Sequence, residues 1–118
     1  MSLLFVYGTL KRGGSNHGQL AGQKFVSPAR TAPGYRLFLL EGYPGMVPWP
    51  ADQEGVVGEL WDVTDAALPQ LDAFEGVPEG LYRREPVPLQ SPHQAADAYL
   101  YARSIEDRPD VGNEWSVG

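Results

Sequence analysis

Only one stretch of this 118-residue chain, "TDAALPQLDAFEG" (64–76), carries a helical period, and glycine or proline punctuates nearly every other apolar run. A chain with 14 glycines, 11 prolines and a single helical segment must build its core mainly from short strands. Within that segment Thr64 is a good N-cap, Leu68, Leu71 and Phe74 or Glu75 follow helical spacing, and Gly76 is a natural stop. Pro69 lacks the amide a helix interior needs. The pattern therefore predicts a turn over 65–68 and a helix proper over 69–75.

"LLFVY" (3–7) is continuous rather than alternating, as expected of a strand covered on both faces. "GYRLFLLEG" reads as a second strand, "GMVPWP" as a short prolyl edge segment, and "GVVGELWDV" as a strand in which Val57, Glu59, Trp61 and Val63 alternate with Val56, Gly58, Leu60 and Asp62. "LYRREPVPL" and "ADAYLYARS" form a hairpin through "QSPHQ", with Tyr99 and Tyr101 on one face and Ala98, Leu100 and Ala102 on the other. "GSNHGQLAGQKF" holds at most one short helical turn, capped by Ser15 or Asn16. The tail "EDRPDVGNEWSVG" is polar apart from Val111, Trp115 and Val117, and reads as a loop that pins Trp115 onto the body. The sum is one α+β domain spanning residues 1–118, a small barrel or strongly curved sheet with one principal helix and short flanking helical turns.

Composition narrows the chemistry. Without cysteine there is no thiolate ligand or nucleophile, and His17 and His93 have no ligand spacing, so no metal is expected. A net charge of −6 opposes nucleic-acid binding, which is driven by Lys and Arg displacing counterions. No apolar run approaches the ~20 residues of a membrane span, and no signal-peptide pattern follows Met1, which makes a cytoplasmic protein the expectation.

The loop after the first strand, "GTLKRGGSNHG", invites a phosphate-binding reading, since Gly8 to Gly13 match half of a P-loop. Gly14 and Ser15 then stand where Lys and Ser or Thr are required, and the reading fails. One reading is an ordinary loop whose glycines supply positive φ, with Lys11 and Arg12 solvated. A sharper one is that Gly8 frees the amides of Tyr7, Gly8, Thr9 and Leu10 to form an anion-binding concavity suited to a carboxylate. Glu75, at the end of the predicted helix, faces the negative end of the helix dipole. Any burial beside Phe74 or Tyr82 would raise its pKa further, toward that of a general base. Asp72, on another helical face, and Glu79, in a loop, are rival carboxylates. Ser15 near His17 lacks the nucleophile elbow of a serine hydrolase, and Tyr99 and Tyr101 read as core or barrel-lining aromatics.

Together, "FVYGTLKRGGSNH" and "LDAFEGVPEGLYRR" resemble the gamma-glutamylcyclotransferase superfamily, in particular its gamma-glutamylamine cyclotransferase-like branch with small bacterial members. The resemblance implies a small mixed-topology β-barrel with flanking helices and an enzyme that needs no cofactor. In its reaction the α-amine of a γ-glutamyl compound attacks its own γ-carbonyl, giving 5-oxoproline and a free amine. It implies that Tyr7, Gly8, Thr9 and Leu10 hold the glutamyl moiety through backbone amides, that Glu75 is the acid/base, and that Tyr82 and Tyr101 line the cavity. The partner implied is a small γ-glutamyl substrate, with neither nucleic acid nor membrane. Glu75 would have to take a proton from an ammonium of pKa near 8, about 3.5 units above free Glu, a cost of about 5 kcal/mol. "GGSN" replaces the proline-containing spacer of the closest branch, and the Glu75 motif lacks its cysteine, which leaves the γ-glutamyl substrate open. The alternative is a non-catalytic domain of the same fold that binds a small carboxylate ligand.

Overall fold

The computed structural model describes residues 2–116; Val117, one of the three apolar residues of the tail, lies outside them. The strands are β1 (Ser2–Val6), β2 (Lys24–Arg30), β3 (Tyr35–Leu39), β4 (Pro44–Pro48), β5 (Val57–Val63), β6 (Tyr82–Pro88), β7 (Ala95–Tyr101) and β8 (Asp110–Gly112). The helix α1 (Leu68–Phe74) follows a 3-10 turn at Asp65–Ala67, and a second 3-10 turn spans His17–Leu20.

All eight strands belong to one mixed sheet, in the order β2-β5-β1-β7-β4-β3-β8, with β6 paired to β7 off that path. The sheet curls until its ends meet. An antiparallel bridge joins Thr31 to Leu89, and the amides of Ala32 and Gln90 donate to the carbonyls of Pro88 and Arg30, so the end of β2 is tied to the end of β6. The α+β fold with a curled, barrel-like sheet is the one expected.

β7 organises the sheet. The hairpin partner β6 pairs with it along its whole length, from Tyr82 opposite Tyr101 to Pro88 opposite Ala95. One edge of β7 is thereby filled, and β1 and β4 share the other, both running parallel to it, with Leu4 beside Asp97 and Met46 beside Leu100. Between the end of β1 and the start of β4 that shared edge opens.

Alternation places apolar side chains on both faces. Phe5 and Tyr7, Leu37, Met46, Val56 and Leu60, Ala98 and Leu100 form one layer. Leu4 and Val6, Trp61 and Val63, Tyr99 and Tyr101 form the other, which Leu71 of α1 and Leu20 of the His17–Leu20 turn cover. The expected faces of β5 and β7 and the double coverage of β1 are thus observed.

Several local expectations are corrected. "KFVSPAR" is a strand: Phe25, Ser27 and Ala29 are half-buried while Lys24, Val26, Pro28 and Arg30 are exposed, and a bulge between Phe25 and Ser27 disturbs its register on β5. Pro28 is tolerated because β2 needs ladder partners on one side only. β4 is internal rather than an edge, lying between β3 and β7 with Pro44 to Val47 buried. The tail contributes β8, paired with β3. The helix starts one residue early, at Leu68, and Thr64 makes no side-chain cap. Lys11 is not solvated, and Arg12, exposed as the ordinary-loop reading has it, is nevertheless tied to the body. Lys11 is buried and its ammonium donates to the carbonyl of Trp115, while Arg12 pairs with Glu59 at 3.1 Å and lies 3.6 Å over the Phe25 ring. Trp115 is pinned to the body as expected, against the Phe5 layer.

Candidate active site

A cavity of about 240 Å³ occupies the opening between β1 and β4. That is smaller than the ~300 Å³ at which pockets for drug-sized ligands begin, and suits an amino-acid-sized group. The chain segment from Phe5 to Leu10 forms one wall, with Tyr43 and Pro44, Leu81 and Tyr82, Tyr99, Asn16, Phe74 and Glu75 completing it. Tyr7, Gly8, Thr9, Leu10, Tyr82 and Glu75, six of the seven residues singled out in the sequence, therefore meet in one place.

Tyr7 spans the gap left in the ladder. Its hydroxyl donates to the carbonyl of Tyr99 on β7 at 2.5 Å and accepts from the amide of Met46 on β4 at 3.2 Å. Two buried backbone groups are satisfied by one phenol where no strand reaches them.

The loop that follows is held in shape from behind. The Lys11 amide donates to the Gly8 carbonyl at 3.1 Å, the Asn16 amide to the Thr9 carbonyl at 3.0 Å, the Asn16 side chain to the Thr9 hydroxyl at 3.0 Å, and His17 meets the Leu10 carbonyl at 2.9 Å. The carbonyls of Gly8, Thr9 and Leu10 are thus occupied, while no acceptor among the described residues takes the amides of these three. Gly8 does not serve by adopting a positive φ, as the ordinary-loop reading has it; Gly13 does, at 84°. Gly8 is required because an added Cβ would stand 2.8 Å from Cγ of Pro44 across the cavity.

Glu75 caps α1, its amide donating to Leu71 at 2.9 Å, and Gly76 then leaves the helix at φ 72°. Its half-buried carboxyl makes no hydrogen bond or ion pair among the described residues. Burial without a donor pushes its pKa up to about 7. Three of the phenols near it offer no help, because each has committed its proton: Tyr7 to Tyr99, Tyr82 to the Pro44 carbonyl at 2.9 Å, and Tyr99 to Asp72 at 2.7 Å. Burial holds all three phenols well above the usual tyrosine range, so they stay neutral.

Asp72 and Glu79 are excluded from the cavity for different reasons. Asp72 accepts from Arg84 and Tyr99; burial works against its charge, but these bonds outweigh it and hold the carboxyl below the usual range. Glu79 is exposed. Tyr101 does not line the cavity. Two residues along a strand is about 6.6 Å, which carries it past the opening to stack edge-on against the far side of Tyr82, with centroids 5.6 Å apart. Tyr99, on the same face, takes the lining position instead. Asn16, Tyr43 and Leu81 were not foreseen, the one sequence signal being the proximity of Asn16 and His17 to the loop; Phe74 is one of the two neighbours expected beside Glu75. No group of three or more His, Asp or Glu among the described residues is arranged to hold a metal ion.

The family described as "Gamma-glutamyl cyclotransferase, AIG2-like" matches residues 4–117. The chain belongs to this family. A putative gamma-glutamylcyclotransferase of Vibrio cholerae is 39% identical over 99 residues, covering 84% of this chain and 81% of the relative. Gamma-glutamylaminecyclotransferase A of Danio rerio is 34% identical over 121 residues, covering 94% of this chain and 74% of the fish protein. Among solved structures, the mouse AIG2-like protein superimposes with a TM-score of 0.74 at 28% identity, covering 88% of this chain and 78% of the mouse chain. Family membership accounts for the fold and, at the level of the family, for gamma-glutamyl cyclotransferase chemistry. No helix among the described residues is long and apolar enough to cross a membrane.

Proposed function

We propose that this member of the gamma-glutamyl cyclotransferase family converts a γ-glutamyl amine or γ-glutamyl amino acid into 5-oxoproline and the free amine, with Glu75 as general base and then general acid. The observation that carries the reading is the Glu75 carboxyl, at a cavity wall, without a protein partner and with its pKa pushed up to about 7. The relatives' names supply the γ-glutamyl part of the reading.

The substrate's α-carboxylate is met by the amides of Gly8, Thr9 and Leu10, because no cationic side chain among the described residues lines the cavity. Its α-ammonium faces Glu75. The phenol oxygens of Tyr82 and Tyr99, whose protons are already given to Pro44 and Asp72, have only lone pairs to offer and so favour a cationic donor over an anion. Glu75 takes one proton from the ammonium. The freed nitrogen attacks the γ-carbonyl carbon, closing a five-membered ring; the protonated Glu75 gives its proton to the departing nitrogen as its bond to that carbon breaks, then takes the second proton from the ring nitrogen and passes it to the released amine, which leaves as an ammonium. Against an ammonium of pKa near 8, a carboxyl near 7 leaves a mismatch of about one unit, about 1.4 kcal/mol in place of the 5 that free Glu would face. Holding the chain folded for intramolecular attack supplies much of the remaining acceleration.

Incubation with a panel of γ-glutamyl amines and dipeptides, with 5-oxoproline as the readout, tests the proposal. Turnover is expected in the native protein and a loss of about a thousandfold in Glu75→Gln. Undiminished turnover in that variant would remove the role assigned to Glu75. Calorimetric binding of panel members without turnover of any would make the protein a carboxylate-binding domain instead.

A further inference from the structure

The helix that presents Glu75 is poorly anchored by apolar contacts. α1 has seven residues, its N-terminus has no side-chain cap, Phe74 is 41% exposed, and Leu71 is its one buried residue, with Leu68 half-buried against the same cluster. Two leucines on one stripe set the distance of the helix from the sheet but hold its rotation only loosely, and Glu75 must be aimed. A polar cluster beside the cavity supplies the missing constraint. Arg84 on β6 donates from Nε to Asp72 Oδ1 at 2.9 Å and from Nη2 to Asp72 Oδ2 at 3.3 Å, and from Nη1 to Asp97 on β7 at 2.7 Å. Tyr99, also on β7, donates to the same Asp72 oxygen.

We propose that Asp72, Arg84, Asp97 and Tyr99 form a clamp that fixes the rotation of α1 on the β6–β7 hairpin and thereby positions Glu75, making Asp72 and Arg84 positioning residues for the reaction. The proposal rests on the assignment of Glu75 as acid/base. The guanidinium is a planar fork, so it holds the Asp72 carboxylate in orientation as well as distance, which a lysine does not. Asp72 and Glu75 are three residues apart, and the direction of one side chain on a helix fixes that of the other. Tyr99 belongs to both structures: its hydroxyl holds the helix, its carbonyl receives Tyr7, and its ring lines the cavity. The clamp and the substrate loop therefore meet at one residue. It also keeps the Asp72 charge neutralised, so that Glu75 sits beside no free carboxylate. The titratable groups that share the cavity with Glu75 are Tyr7 at the end of β1, Tyr82 on β6, Tyr99 on β7 and Tyr43 before β4; Asp72 on its own helix is turned to Arg84 and Tyr99.

The test uses two variants at one position. Asp72→Asn removes the charge but keeps an acceptor for Tyr99 and Arg84, whereas Asp72→Ala removes both. The readouts are the pH midpoint of the Glu75 carboxyl, followed by carbon NMR on glutamate-labelled protein, and kcat and KM for the γ-glutamyl compound turned over best. In Asp72→Ala the helix turns, Glu75 reaches water and its midpoint falls from about 7 toward 4.5, with kcat down at least tenfold and KM changed less. Asp72→Asn falls between this and the native protein. Arg84→Lys gives an intermediate loss of kcat and remains a test if Asp72→Ala does not fold. Arg83→Met, which breaks the exposed pair with Glu85 on the same strand, leaves midpoint and kinetics unchanged. Equal midpoint shifts in the two Asp72 variants would trace the effect to charge alone and overturn the clamp. So would a lowered Tm with an unmoved midpoint. The NMR readout needs no turnover, so the clamp can stand or fall separately from the proposed reaction.

Discussion

Asp52 and Glu75 are carboxylates withdrawn from bulk water in different parts of the molecule, and the fold treats them in opposite ways. Asp52, buried where the β3 and β5 loops meet the tail, accepts from the amides of Gly55 and Gly34 at 2.8 and 3.1 Å and from the Asn113 side chain at 3.0 Å, with Arg36 3.9 Å away. Loss of water opposes its charge, but the donors outweigh that loss and its pKa falls below the ordinary value. Glu75 has no donor, and its pKa rises to about 7. Burial alone does not set the state of a carboxylate; the supply of donors does. Asp52 ties loops together, whereas Glu75 is left without a partner among the described residues, at a cost in stability.

Four experiments would break or sharpen that contrast. The largest effect is the loss of about a thousandfold in 5-oxoproline formation expected of Glu75→Gln, against unchanged turnover per folded molecule for Asp52→Ala. Next, Asp52→Ala strands two backbone amides and the Asn113 amide, and should cost about 3 kcal/mol, seen in thermal melts as a fall in Tm of about 10 °C or more. A melt like that of the native protein would end the comparison.

Third, the two groups should drive stability in opposite directions with pH. The folded value of Glu75 lies above its unfolded value of 4.5, so the folded state holds the extra proton and stability is lost as pH rises from about 4.5 to 7. Glu75→Gln removes that loss. Its melt should match the native protein at pH 4 and exceed it at pH 8 by up to about 3 kcal/mol. The folded value of Asp52 lies below its unfolded value of 3.8, so its contribution is present above that value and lost as pH falls through the folded one. The penalty of Asp52→Ala should accordingly shrink in acid. Fourth and smallest, Gly8→Ala places a methyl against the stiff Pro44 ring and displaces the substrate loop. KM should rise about fivefold, about 1 kcal/mol, with little change in Tm.

The parts of this molecule legible in the sequence are those whose signal is local. β1, β5 and the β6–β7 hairpin follow from period and turn residues, and Pro69 and Gly76 bracket α1 to within a residue. Glu75 and the Tyr7 to Leu10 loop follow from two short motifs. The rest depends on residues far apart in the chain. β2 is disguised by Pro28 and a bulge and exists because β5 needs a neighbour. β4 looks like an edge because of its prolines, yet β3 and β7 close over it. Lys11 is buried because Trp115, 104 positions away, brings a carbonyl to it. Tyr99 and Tyr101 are equivalent in pattern; only the place where β1 ends and β4 begins decides which of them lines the cavity.

The sharing of one edge of β7 by β1 and β4 has a consequence for how the chain acquires its shape. During synthesis β1 is made before β5, one of its two neighbours, and long before β7, the other; the Tyr7 to Tyr99 bond alone closes a separation of 92. Parallel pairings over such distances must overcome loop-closure entropy before they gain contacts, which places folding toward the millisecond-to-second end of the range for small domains. The cavity exists only once β7, paired with β6 on one edge, has docked on the other against β1 and β4, made long before it. A partly synthesised chain therefore has the Tyr7 loop and α1 but no site, and exposes the edges of β1 and β4 until its last long strand arrives.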